Sequence, residues 1–283
     1  MVRSHTIPLN GIPFYYAEVP GPGPSLVILH GLTGSHDEFL HLAPILARQA
    51  HLYLLDMRGH GRSGWTQSGY TVADYGRDVV EFLQQVVGET AVLLGHSLGA
   101  MVAAWVAANR PDLVHGLILE ESPFYILEDL TSSWIYPYFA SLRDYLGPHH
   151  ASGGSLAQMV AYVGQVSVDT AVSDDIRQRA VQLQQFDPAA LEPLLRQELL
   201  GDQDPDRLLA QITCPVHLIA AEQGSGGVMS LEDVQWIVAR VPHAAHTIVK
   251  SSGHDIHLDR PQAFFRAVIS FLWKLERVLQ VAI

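Results

Sequence analysis

Short apolar runs alternate with segments of helical periodicity over the first 120 residues. Residues 26–30, 52–56, 91–94 and 117–119 are continuous apolar runs, the pattern of strands covered on both faces. Between them, residues 39–48, 70–87 and 98–109 carry apolar positions at helical spacing. Gly88 and Pro111 stop the last two. Ahead of these, residues 6–19 read as two strands around Asn10-Gly11, the dipeptide most typical of a tight hairpin. Strands alternating with helices predict a mostly parallel sheet with helices on both faces.

From residue 124 to 211 the alternation stops. Helical stretches at 134–146, 155–166, 174–186 and 191–200 are separated by breaks at Gly147-Pro148, 152–155, Asp187-Pro188 and Asp204-Pro205. The alternation resumes with strands at 216–221 and 247–249 and helices at 231–239 and 262–278. The pattern predicts an α/β core domain, residues 1–123 and 212–283, interrupted after the sixth strand by a helical insertion, 124–211.

At 283 residues the chain is long enough to bury a sizeable core. With 48% apolar and 16% charged residues it lacks the composition of a disordered protein. Its formal charge, 17 − 29 = −12, makes nucleic acid and anionic membranes poor partners. The single cysteine, Cys214, excludes an intrachain disulfide and a cysteine-built metal site. No secretory apolar segment stands at the N-terminus, and no apolar run approaches the roughly 20 residues of a membrane span. A cytoplasmic monomer or homodimer acting on a small molecule without cofactor or metal is expected.

The strongest chemical signal is Gly95-His96-Ser97-Leu98-Gly99. It fits G-x-S-x-G and stands between an apolar strand and a small-residue helix, the setting this motif requires. Glycines permit the tight strand-to-helix turn, which pushes the Ser97 hydroxyl above the sheet over a helix N-terminus. A serine hydroxyl needs a base. His254 follows Gly253 directly after the last strand and is the candidate; His257, three residues on, is its rival. Acyl transfer also needs an oxyanion hole, for which the backbone N–H groups of Leu32, in His30-Gly31-Leu32, and of Leu98 are the candidate donors.

These segments, together with Asp56-Met57-Arg58-Gly59-His60-Gly61-Arg62-Ser63, occur in the order and spacing of the α/β-hydrolase fold, and the chain resembles a capped serine hydrolase of that family. The resemblance implies a mostly parallel eight-stranded sheet, Ser97 as nucleophile, His254 as base and the 124–211 insertion as a cap. Arg58 would tie loops together.

The third triad member departs from the family's usual pattern. A carboxylate must orient the histidine and stabilise its charged form. The position after strand 216–221 that commonly carries aspartate reads Gly224, with Glu222 two residues early. The alternative location, the end of strand 117–119, offers Glu120 and Glu121, of which only one should face the histidine. Glu121 is favoured; Glu120, Glu222 and Asp255 are the alternatives. A glutamate there, followed two residues later by proline as with Pro123, is similar to the zearalenone-type lactonases, and some haloalkane dehalogenases carry a catalytic glutamate at a position similar to Glu121.

The set fits hydrolysis of carboxylic esters or lactones through an acyl-enzyme on Ser97. Serine at the nucleophile position argues against dehalogenase and epoxide-hydrolase chemistry. Carbon–carbon bond hydrolysis, perhydrolysis, or a catalytically weak small-molecule binding protein are the alternatives. The insertion is rich in aromatic residues. Phe124, Trp134, Tyr138 and Tyr162 are the candidates for lining an apolar, aromatic pocket for medium-sized, largely apolar substrates.

Overall fold

The computed structural model describes residues 1–133, 135–166 and 173–281. The predicted hairpin forms: β1 (Arg3–Leu9) and β2 (Ile12–Val19) pair antiparallel, with Asn10 and Gly11 at φ of 50° and 79°. The strands β3 (Ser25–Leu29), β4 (His51–Leu55), β5 (Ala91–His96), β6 (Val114–Glu120), β7 (Val216–Ala221) and β8 (Ala244–Val249) run parallel to one another. The eight form one sheet in the order β1-β2-β4-β3-β5-β6-β7-β8.

The helices follow in chain order: α1 (Ala43–Leu46), α2 (Val72–Phe82), α3 (Leu98–Asn109), α4 (Ile135–Ala151), α5 (Leu156–Val166), α6 (Ser173–Gln184), α7 (Glu192–Leu195), α8 (Pro205–Ala210), α9 (Leu231–Arg240), α10 (Ile256–Asp259) and α11 (Pro261–Val281). Successive strand residues point to opposite faces. Along β3, Val27 and Leu29 join an apolar cluster with α2, α3 and α9, while Leu26 and Ile28 join a second cluster with α1 and α11. Each aliphatic side chain fully buried this way contributes about 1.5–3 kcal/mol. Both faces being covered explains why these strands read as unbroken apolar runs.

Several predicted elements differ, among them the helix expected at 191–200, which shortens to α7 after a 3-10 turn at Pro188–Leu191. The helix expected at 39–48 is a short 3-10 turn (His36–Phe39) followed by α1, because Pro44 in the first turn of α1 has no N–H to continue a helix through it. The break expected at Gly147-Pro148 lies inside α4. Its last turn is held against α6 by His149 Nε2 to Gln184 Oε1 (3.0 Å) and His150 Nε2 to Leu183 O (3.2 Å). Asp204-Pro205 starts α8 rather than only ending a segment. The Asp204 carboxylate accepts the Asp206 and Arg207 N–H groups, and Pro205 takes the position where a missing N–H costs nothing. No helix among the described residues is long and apolar enough to cross a membrane.

Candidate active site

Ser97 stands between β5 and α3 at φ 51°, ψ −114°. A non-glycine residue there is strained by on the order of 1–3 kcal/mol. The surroundings impose that conformation. A side chain on Gly95 would strike the backbone of Gly99, and one on Gly99 would strike the carbonyl of Leu29. The Ser97 N–H also donates to Glu120 O (2.9 Å), fixing the turn to β6.

His254 lies in the loop between β8 and α10, with Nδ1 3.4 Å from Glu121 Oε2. Glu121 follows β6 at φ 48° and is fully buried. Its carboxylate accepts the N–H groups of Ala221 at the end of β7 (2.7 Å) and of Val228 (2.6 Å) and Met229 (3.4 Å) in the loop after it, which fix its position. Burial alone would lower the His254 pKa. The Glu121 hydrogen bond, with the charges of Asp255, Glu121 and Glu120, more than offsets this and holds it above 6.5.

Glu120 points to the other side of β6 and takes His257. Its Oε1 accepts the His257 N–H (2.8 Å), and both oxygens lie 3.0 Å from His257 Nδ1. Burial opposes the charge on His257, yet Glu120 lifts its pKa to about 9. Phe39 stacks on the imidazole at 4.3 Å. His96 Nε2 reaches the His254 carbonyl (3.2 Å), and burial lowers its pKa to about 4, so it acts as a neutral prop for the loop. His96, Glu120 and His257 bring possible ligand atoms within 4.8 Å of one another. A metal fits poorly there, because Glu120 is committed to His257 and a protonated imidazole repels a cation.

The N–H groups of Leu32 and Leu98 donate to no protein acceptor among the described residues, and both residues border the same cavity as Ser97 and His254. His30 is occupied elsewhere: Nδ1 donates to Gly31 O (2.8 Å) and Nε2 accepts the Met57 N–H (3.0 Å). Arg58 ties loops, with Nε and Nη2 on Asp78 (2.5 and 2.6 Å) and Nη1 on Gly69 O (2.8 Å). Among the other acids weighed from sequence, Glu222 lies outside the cavity, and Asp255 Oδ1 sits 3.4 Å from His96 Nε2.

The cavity holds about 800 Å³. The segment between β6 and β7 closes it with Pro123, Ile126, Leu127, Leu130, Ile135 and Phe139. Among the described residues its apolar end is mostly aliphatic rather than aromatic. Tyr138 borders it as expected. Phe124 does not: it is fully buried in the core, because the chain turns inward directly after β6. Tyr162 does not either; it stacks on Tyr145 with centroids 3.6 Å apart and joins α5 to α4. Trp134 lies outside the described residues.

Part of the cavity lining is polar and was not foreseen. Arg179 of α6 donates from Nη1 to Thr33 O (3.0 Å) and from Nη2 to Thr33 Oγ1 (2.6 Å) and Tyr138 Oη (3.2 Å). Gln182 Nε2 donates to Glu38 Oε1 (3.1 Å). On a helix as polar as α6, Arg179 and Gln182 read in the sequence as a solvated face; contacts with residues 146 and 144 positions earlier turn them inward.

A family model described as the alpha/beta hydrolase fold matches residues 24–261. A 2-(acetamidomethylene)succinate hydrolase of Mesorhizobium japonicum is 34% identical over 106 residues, a match spanning 38% of each chain. A pimeloyl-[acyl-carrier protein] methyl ester esterase of Aromatoleum aromaticum is 30% identical over 250 residues, 84% of this chain and 94% of that one. The crystal structure of an N-formylmaleamic acid deformylase from Pseudomonas putida S16 superposes with a TM-score of 0.76 at 24% identity, covering 94% of this chain and all of that one. With the parallel sheet, the serine turn and the histidine loop in sequence order, the chain belongs to the α/β-hydrolase-fold family.

Proposed function

We propose that the protein is a serine hydrolase that cleaves carboxylic esters, lactones included, through an acyl-enzyme on Ser97. The observation that carries this reading is the convergence on one cavity of a strained serine, a histidine backed by a buried carboxylate, and two unpartnered N–H groups. In this reading His254 Nε2 takes the Ser97 proton as Oγ attacks the acyl carbon. The N–H groups of Leu32 and Leu98 receive the oxyanion, and Glu121 stabilises the imidazolium. The leaving alcohol departs with that proton, and water activated by His254 releases the acid. Ser97 and His254 share no hydrogen bond in the free protein, and the contact forms when substrate excludes water. The segment 124–211 serves as the cap that selects substrates. The similarity to a methyl ester esterase over most of both chains supports ester cleavage.

The test is labelling with a serine-directed fluorophosphonate, beside turnover of short p-nitrophenyl esters. Modification of the Ser97 peptide with turnover, both lost in Ser97→Ala, supports the reading. Turnover retained by Ser97→Ala removes it. A folded wild type that neither labels nor turns over ester moves the weight to a binding protein.

A further inference from the structure

We infer that Arg179 and Glu38 together form a specificity subsite for a neutral group that both donates and accepts hydrogen bonds, an amide above all, carried by the substrate of the ester hydrolase proposed above, on whose reading this inference rests. Both groups border the cavity that contains Ser97. Both lie against the loop that follows the Leu32 oxyanion donor. Arg179 grips Thr33 through two bonds, and the Glu38 oxygens stand 2.5 and 2.8 Å from where a Cβ on Gly34 would be. The cap residue Gln182 fixes one Glu38 oxygen, and Tyr138 meets one Arg179 nitrogen.

Charge decides what this pair accepts. Arg179 has no carboxylate within ion-pair distance among the described residues, and a guanidinium has five N–H donors, more than its three bonds use. Glu38 Oε2 has no hydrogen-bond donor among those residues. A substrate carboxylate would suit Arg179 but face Glu38. An ammonium would suit Glu38 but face Arg179. An alkyl end would leave the spare Arg179 donors and Glu38 Oε2 unsatisfied on closure, which a polar site rejects. An amide offers a carbonyl to the guanidinium and an N–H to the carboxylate.

The other charges around the cavity are engaged by protein partners or, for Asp175, which also borders the cavity, exposed to solvent. Asp37 meets His36 (3.3 Å), Asp255 meets His96 (3.4 Å), Asp259 accepts the Gly253 N–H (2.6 Å), and His41 reaches the His257 carbonyl (3.0 Å). Asp175, on the same helix as Arg179, is exposed. Burial, opposed by His257 and Arg179 and reinforced by Asp255, pushes the Glu38 carboxyl up to about 7. The balance of the pair therefore improves as pH rises through 7.

The experiment compares four p-nitrophenyl esters with acyl chains of equal length, ending in acetamido, carboxylate, ammonium or methyl. The acetamido ester should exceed the other three in kcat/KM by roughly tenfold, and its lead over the carboxylate ester should widen from pH 6 to pH 8. Glu38→Gln should shift the ranking toward the carboxylate ester and Arg179→Gln toward the ammonium ester. A wild-type preference for any other terminus, or a ranking that neither substitution moves, overturns the inference. Absence of all ester turnover would be a failure of the hydrolase reading instead. Titration of Ser97→Ala with the four matching methyl ketones then reads the subsite directly: tightest binding of the acetamido ketone supports it, and any other order, or no binding, overturns it.

Discussion

Glu121 holds His254 from across the sheet, Oε2 to Nδ1 at 3.4 Å, although the two are 133 residues apart in the chain. The end of β7 and the loop after it, where the resemblance places the usual aspartate, together supply three N–H donors to Glu121 instead. In the proposed mechanism, a carboxylate from the neighbouring strand thus takes the place that the late loop leaves empty. Replacing Glu121 by Gln keeps the volume and removes the charge that stabilises the imidazolium. We expect kcat on a p-nitrophenyl ester to fall by roughly 10⁴, as in an Asp→Asn change in a serine triad. Glu222→Gln, outside the cavity, should stay within a few-fold of wild type. The opposite ranking in stopped-flow turnover would remove Glu121 as the proposed acid.

Gly227 makes that substitution of strands sterically workable. A Cβ there would stand 2.9 Å from Glu121 Oε2 and 2.7 Å from the Ala221 Cβ. Gly227→Ala should therefore push the Glu121 carboxylate away from His254. Misplacement on the ångström scale costs roughly 10²-fold in rate. The expected signature is a fall in kcat with little change in KM, in a protein whose circular dichroism is that of wild type. A variant with wild-type kcat would show that the carboxylate has other room.

The placement of residues at the ends of strands was legible in the sequence; the side-chain directions on helices were not. Ser97, His254 and Glu121 are tied to strand ends, where chain order and strand alternation fix which side chains meet. Glu120 and Glu121 point to opposite sides, as that alternation requires, and each takes one histidine, His257 of α10 and His254 of the loop before it. Phe124 and Tyr162, by contrast, look identical in sequence whether they face a cavity, the core or another helix. Arg179 is an ordinary charged residue of a polar helix until Thr33 is beside it. Long-range packing decides these, and one sequence holds no period that reports it.

The Glu120–His257 pair should make stability depend on pH in a definite direction. The folded-state pKa of His257, about 9, lies above its unfolded 6.5. A raised value means that the folded protein binds the proton more tightly, so the contribution is complete below pH 6.5 and is lost as pH rises through 9. Urea midpoints measured from pH 6 to pH 9.5 should fall across that window. His257→Ala leaves Glu120 buried without its partner, which costs about 3–5 kcal/mol at pH 6, and should flatten the dependence. A His257→Ala protein as stable as wild type at pH 6 would show that the pair is not held as an ion pair.

The proposed base gives the rate its own pH profile. His254 accepts the Ser97 proton only when neutral, and its surroundings hold its pKa above 6.5 despite burial. The acidic limb of kcat/KM should therefore have its midpoint above 6.5, with the rate rising as pH increases through it. In Glu121→Gln the hydrogen bond and charge that raise the value are weakened, while burial, which lowers it, remains. The limb should then move to lower pH even as the plateau falls. Both shifts can be read from one set of ester hydrolysis rates between pH 5 and pH 9. A limb that stays in place in Glu121→Gln would mean that the titrating group is not the imidazole Glu121 touches, and His254 would lose its role as base.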